Sequence, residues 1–146
     1  MAIAIFTTWT TYGTWLPGDE RGWFNKLGPQ NENPIQRFDA QLLMSENAVL
    51  LDPKQRNLVE ETIQAHCAYR GWNLLAVNCR TNHVHVLVNT SDVAIDVPRT
   101  QFKAWATRKL KEKTPDRKHW WTERGWDVFI DDDDSLARVH EYIRNQ

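Results

Sequence analysis

The sequence predicts an α+β domain over residues 1–146, an antiparallel sheet with helices packed on one face and a further helix at the C-terminal end. Three observations carry this expectation. Runs of β-branched and aromatic residues alternate with amphipathic runs in the order strand, helix, strand, strand, helix, strand, helix. The two central strands are separated only by Arg80-Thr81-Asn82, the length of a hairpin turn, although it lacks the Asn-Gly pair that would settle their register. With 146 residues, 41% apolar and 25% charged, the chain has the size and composition of one domain with a buried core, and it contains no apolar run long enough to span a membrane.

Taken in order, Ile3 to Tyr12 reads as the first strand, with Ile5, Thr7 and Trp9 on one side and Ala4, Phe6, Thr8 and Thr10 on the other. Met1-Ala2-Ile3-Ala4-Ile5-Phe6 runs straight into it, so no secretory leader is expected. Gly13 to Asn33 scatters Gly, Pro, Asp and Asn among Trp15, Leu16, Trp23 and Phe24, and predicts a long loop held down by aromatics. The segment from Gln36 to Leu51 fits either a short helix or a strand. Asp52 is then a candidate N-cap before Pro53, and Leu58, Val59, Thr62, Ile63, His66 and Cys67 recur at helical spacing until Arg70-Gly71. His66 falls within that apolar stripe and reads as a core-edge histidine. Trp72 to Cys79 predicts a strand.

The strand after the turn carries the chemistry. In His83-Val84-His85-Val86-Leu87-Val88-Asn89 the side-chain period of two puts both histidines on one face and the valines on the other. Two neutral imidazoles on a rigid strand offer a divalent cation two ligands and leave other positions open. A half-buried strand that merely carries histidines has the same pattern. A second helix follows from Pro98 to Lys113, with Phe102, Trp105, Ala106 and Leu110 on one stripe. Thr114 to Arg124 is polar, Gly125 to Ile130 predicts the last strand, and Asp131 to Asp134 lead into a helix from Ser135, where acidic residues suit the N-terminal dipole. This order matches the ferredoxin-like arrangement with one helix added.

Charge is concentrated. The chain has net charge −1, yet Arg99 to Lys118 holds eight cations against Glu112 and Asp116. Arg99, Lys103, Arg108 and Lys109 are therefore candidates for tracking phosphates, and exposed members of Trp15, Trp23, Trp120 and Trp121 for stacking on bases. Cys67 and Cys79 are expected as free thiols in a reducing compartment. On the last helix Tyr142 and Gln146 are four residues apart, which places phenol and amide on one helical face.

The strand NHVHVLV preceded by CAYRGWNLLAVNCR, the basic QFKAWATRKL and the terminal EYIRNQ together resemble the single-tyrosine HUH transposases, including the REP-associated tyrosine transposases. The resemblance runs from about Leu51 to Gln146, and FTTWTTYGTWLPG is similar to the first strand and loop of part of that group. It implies a metal-dependent enzyme of DNA transposition and recombination that cleaves and rejoins single-stranded DNA at hairpins through a 5′-phosphotyrosine link and a free 3′-OH. By this likeness His83 and His85 hold a divalent metal, Mg or Mn. Tyr142 is the nucleophile and Gln146 completes the metal site. The Gln inclines toward the insertion-sequence branch, since REP-associated members often have Asn there. The resemblance further implies a homodimer, in which the tyrosine helix can serve the partner's histidines, and a bacterial cytoplasmic setting beside the nucleoid. Two other readings share some of these residues: a metal-dependent nuclease using water, and a non-catalytic relative that holds hairpin DNA.

Overall fold

A computed structural model describes residues 2–25 and 27–146. Its main sheet is built from β1 (Ala4–Thr10), β4 (Asn73–Cys79), β5 (His83–Asn89) and β6 (Trp126–Ile130) in the order β4-β5-β1-β6. Every neighbouring pair is antiparallel. Helices α2 (Pro53–Arg70) and α3 (Val97–Lys113) connect these strands in the ferredoxin-like βαββαβ pattern, and α4 (Asp133–Arg144) is the added C-terminal helix.

The helix ends follow local chemistry. Asp52 and Gln55 form a reciprocal capping box at the start of α2, and Gly71 closes it in the left-handed region at φ 71°, where a side chain would be strained. A short hairpin corrects the loop expected over 13–33, and a helix occupies the first part of the segment open to helix or strand. Trp23–Asn25 (β2) pairs with Gly28–Gln30 (β3), and Asn33 caps α1 (Pro34–Leu42) by accepting from the Gln36 N–H. Strands of three residues are too short to display a period, which hides them from pattern reading. α4 begins two residues before the expected Ser135, because Asp132 Oδ1 accepts from the Ser135 N–H at 2.7 Å and so serves as the cap.

The sheet has a core on each face. On one, Ile5, Trp9, Val84, Val86 and Val88 pack against Val59, Ile63 and Cys67 of α2 and Phe102, Ala106 and Leu110 of α3. His66 sits at this core's edge, its Nε2 2.6 Å from Gln101 Oε1. On the other, Ala4, Phe6, Leu87 and Ile130 pack against Ile143 of α4, with Leu136 and Val139 alongside. Register fixes which residues share that second face. Thr10 lies opposite His83 and Thr8 opposite His85 on β5, while Asn78 faces His85 from the other side and Trp126 faces Thr8. Cys67 and Cys79 are buried, unbridged thiols whose pKa values burial pushes up to about 11 and about 12. No helix among the described residues is long and apolar enough to cross a membrane.

Candidate active site

The period of β5 places His83 and His85 on the α4 face with ring centroids 4.7 Å apart and planes at 69°. Their near ends are held. His83 Nδ1 donates to Asn82 Oδ1 at 2.8 Å, because an amide oxygen only accepts, and His85 Nδ1 lies 2.7 Å from Thr8 Oγ1. With Nδ1 carrying the hydrogen, His83 keeps the lone pair of its Nε2 free, while the Thr8 hydroxyl, which can both donate and accept, orients the His85 ring. The strand end beneath them is fixed too. Thr11 N–H donates to Asn82 O at 2.9 Å and Leu51 N–H to Thr81 O at 2.8 Å.

Burial keeps both rings neutral. His85 is 7% exposed, and desolvation with a smaller push from His83 lowers its pKa to about 4. Burial, then the charge of Arg80, lowers that of His83. An unfolded chain takes up these protons near the ordinary 6.5, whereas folded His85 does not until about 4, so the unfolded state binds more protons in between. Stability of the metal-free protein is therefore expected to decline as pH falls from 6.5 toward 4. An NMR titration of the imidazole resonances checks this; a His85 midpoint near 6.5 would contradict it.

Tyr142 reaches the same place from α4. Its ring is 5.5 Å from that of His85 and 6.4 Å from Phe6, both edge-on, while 49% of the residue remains exposed. The helix is anchored beside it by the buried Ile143, whose carbonyl accepts from Asn78 Nδ2 at 2.9 Å. Gln146 does not continue the helix as its spacing with Tyr142 predicts. α4 ends at Arg144, and the main-chain oxygen of Gln146 accepts from Arg80 Nη1 at 2.5 Å and Asn78 Nδ2 at 3.3 Å. Gln146 nonetheless lines one cleft of about 260 Å³ together with His83, His85 and Tyr142.

The donor set fits a divalent cation. Two neutral imidazoles with oriented rings are the ligand form a metal requires; Asn82 fixes the His83 tautomer that leaves Nε2 free, and Thr8 holds the orientation of the His85 ring. Among the described residues no third His, Cys, Asp or Glu joins them, so further ligands must be amide, substrate or water oxygen. That composition suits an open catalytic site better than a closed structural one.

The expected DNA-binding residues separate into two pairs. Arg99 forms a fork on Asp127, with Nε and Nη2 donating at 3.0–3.1 Å, and both side chains are largely buried. Lys103 Nζ donates to Thr122 O at 2.7 Å, and burial lowers its pKa to about 8. These two cations fasten α3 to β6 and the segment before it. Arg108 lies over the Trp105 ring and Lys109 sits 3.7 Å from Glu112 at the surface, on the helix layer across the sheet from the histidines. Of the tryptophans named for stacking, Trp120 is buried and Trp121 donates to Thr107 Oγ1. Trp15 lines the cleft.

Several cleft residues escape sequence reasoning. Arg21, Thr14 and Asn82 line it, and Trp126, 56% exposed, stands edge-on to Phe6 on the same face. Only the alternation of β6 could have flagged Trp126. Nothing in the irregular 13–22 segment marks Arg21.

A family model described as transposase IS200 like matches residues 42–146. Two solved structures resemble the chain in fold. One is a REP-associated tyrosine transposase bound to a REP hairpin, at TM-score 0.58 and 14% identity over 98% of this chain; this chain spans 66% of that protein. The other, described as a candidate transposase from Deinococcus radiodurans R1, gives TM-score 0.52 and 16% identity over 100% of this chain and 92% of its own. No curated protein matches the sequence.

Proposed function

This chain belongs to the family of IS200-like transposases, and from that premise we propose that it cleaves and rejoins single-stranded DNA at hairpins through a 5′-phosphotyrosine intermediate. The observation that carries the reading is the meeting of Tyr142 with His83, His85 and Gln146 in one cleft. Hairpin DNA as substrate is supported by the ligand of the similar REP-associated protein.

In this reading Tyr142 Oη attacks the scissile phosphorus, the Oη–P bond forms and the P–O3′ bond breaks. The phenolic proton leaves to water at the half-exposed ring, and the departing 3′ oxygen takes one from water. The ordinary phenol pKa of about 10 makes tyrosine a weak nucleophile at neutral pH, so charge around the phosphate must lower the barrier. His83 and His85 with the Gln146 amide would hold a divalent cation such as Mg or Mn, which would supply charge that polarises the phosphodiester. Phe6 and His85 hold the tyrosine ring edge-on, which limits the directions from which Oη can approach. One chain contributes all four groups, so we place the reaction in cis; the homodimer implied by the resemblance would carry two such sites. Of the four cations expected to track phosphates, Arg108 and Lys109 remain available outside the cleft.

Label transfer tests the reading. A single-stranded hairpin oligonucleotide from DNA flanking the coding sequence is incubated with the protein and Mg²⁺ or Mn²⁺, then denatured. Label placed 3′ of the cleavage point is expected to travel with the protein, and label placed 5′ of it to be released on a fragment ending in 3′-OH. Cleavage with both labels released would assign the chemistry to water, and binding without cleavage would leave a hairpin-holding protein.

A further inference from the structure

The wall of the cleft formed by residues 14–21 lies outside the segment matched by the family model, and it contains an arrangement that the proposed chemistry has not used. Asp19 is 2% exposed, a costly position for a carboxylate unless it is fully paired. Its pairing is with one residue. Oδ1 accepts from the Arg21 main-chain N–H at 2.9 Å and from Nε at 2.8 Å, and Oδ2 accepts from Nη2 at 2.8 Å. The neighbouring guanidinium holds the Asp19 carboxyl below the usual carboxylate range.

The guanidinium is fixed on two further sides. Nη2 also donates to Thr14 O at 2.6 Å, and the group lies 4.6 Å over the Trp15 ring, whose own Nε1 donates to Gly22 O. Gly18 permits this turn at φ +86°, where an added Cβ would fall 2.2 Å from Asn33 O. Three of the five N–H donors of Arg21 are thus engaged, and the two on Nη1 have no partner among the described residues. The side chain is still 49% exposed. It lines the cleft with Tyr142 and both histidines, and among the described residues lining it there is no other Lys or Arg and no Asp or Glu, the paired Asp19 lying outside that lining. A half-exposed arginine locked in place by a buried acid, with two donors open to a cleft of neutral groups, is built to receive an anion.

We propose that Arg21 is a catalytic residue that donates from Nη1 to a non-bridging oxygen of the scissile phosphate. The proposal rests on the reading of Tyr142 as nucleophile. As Oη–P forms and P–O3′ breaks, charge on the non-bridging oxygens is met by donors already oriented. An arginine that only knits the loop would act equally on any substrate.

Arg21→Ala alone would strand the Asp19 carboxylate, so the test uses the double variant Asp19→Asn, Arg21→Ala, with Asp19→Asn as control. Arg21→Lys serves as the second variant should the double one fail to fold. Each is assayed on the same hairpin oligonucleotide with either a natural or a methylphosphonate scissile linkage, the latter lacking the charge that Arg21 would meet. The double variant is expected to cut the natural linkage about 10²-fold more slowly than wild type and the methylphosphonate within a few-fold of wild type on that linkage. Equal slowing on both linkages, or no slowing on the natural one, would overturn the proposal. If wild type does not cut at all, the nucleophile reading falls separately, and salt-dependent binding of the oligonucleotide decides. A loss of about 0.7 from the slope of log K against log salt in the double variant then supports an Arg21–phosphate contact, and an unchanged slope removes it.

Discussion

Replacing both His83 and His85 with Ala is expected to abolish cleavage, by at least about 10²-fold, while leaving the chain folded. The imidazoles belong to the smaller of the two cores only at its edge, and the sheet's main core lies on the opposite face with Val84, Val86 and Val88. Losing the ring contacts of His85 with Phe6 and Tyr142 should lower Tm by no more than about 3 °C, corresponding to roughly 1 kcal/mol in a chain of this size. A readout independent of activity goes with it. Mn²⁺ at a hundredfold excess over its Kd should stabilise the wild-type fold by about 2.7 kcal/mol and leave the double variant unmoved. A variant that unfolds, or one that still gains stability from the metal, would contradict a catalytic site at these histidines.

The second large effect belongs to the phenol. Tyr142→Phe removes one hydroxyl from a half-exposed ring and keeps its edge-on contacts with His85 and Phe6, so Tm should stay within about 1 °C. Cleavage and adduct should both disappear, by a factor of at least about 10³, because nothing else in the cleft replaces an absent nucleophile. Hairpin binding should survive. Cutting at the wild-type rate by this variant would move the chemistry to water.

Much of this was legible because regular elements write their period into the sequence. The alternation of β5 put His83 and His85 on one face and that of β1 put Phe6 with Thr8, although only the strand register brings the two pairs to one side of the sheet, and Asp52, Pro53 and Gly71 marked both ends of α2. The tyrosine helix was also evident. What stayed hidden depends on contacts between distant residues. Counting cations along α3 could not reveal that Arg99 is paired with Asp127 or that Lys103 is bound to carbonyls 19 to 21 residues away. Spacing alone placed Gln146 on the Tyr142 face, whereas side chains of Asn78 and Arg80 donate to its main-chain oxygen beyond the end of the helix at Arg144. The wall around Arg21 has no period at all; glycines with positive φ at 18 and 22 and one buried acid shape it.

The central claim is that Tyr142 becomes covalently joined to DNA, and peptide mapping of the adduct tests it most directly. Protein incubated with the hairpin oligonucleotide and Mn²⁺ is denatured, digested with nuclease and protease, and its peptides are weighed. The account predicts that the peptide containing Tyr142, and no other, gains the mass of a nucleotide attached through its 5′-phosphate. Cleaved DNA with every peptide at its unmodified mass, or with the added mass on a different residue, would contradict it.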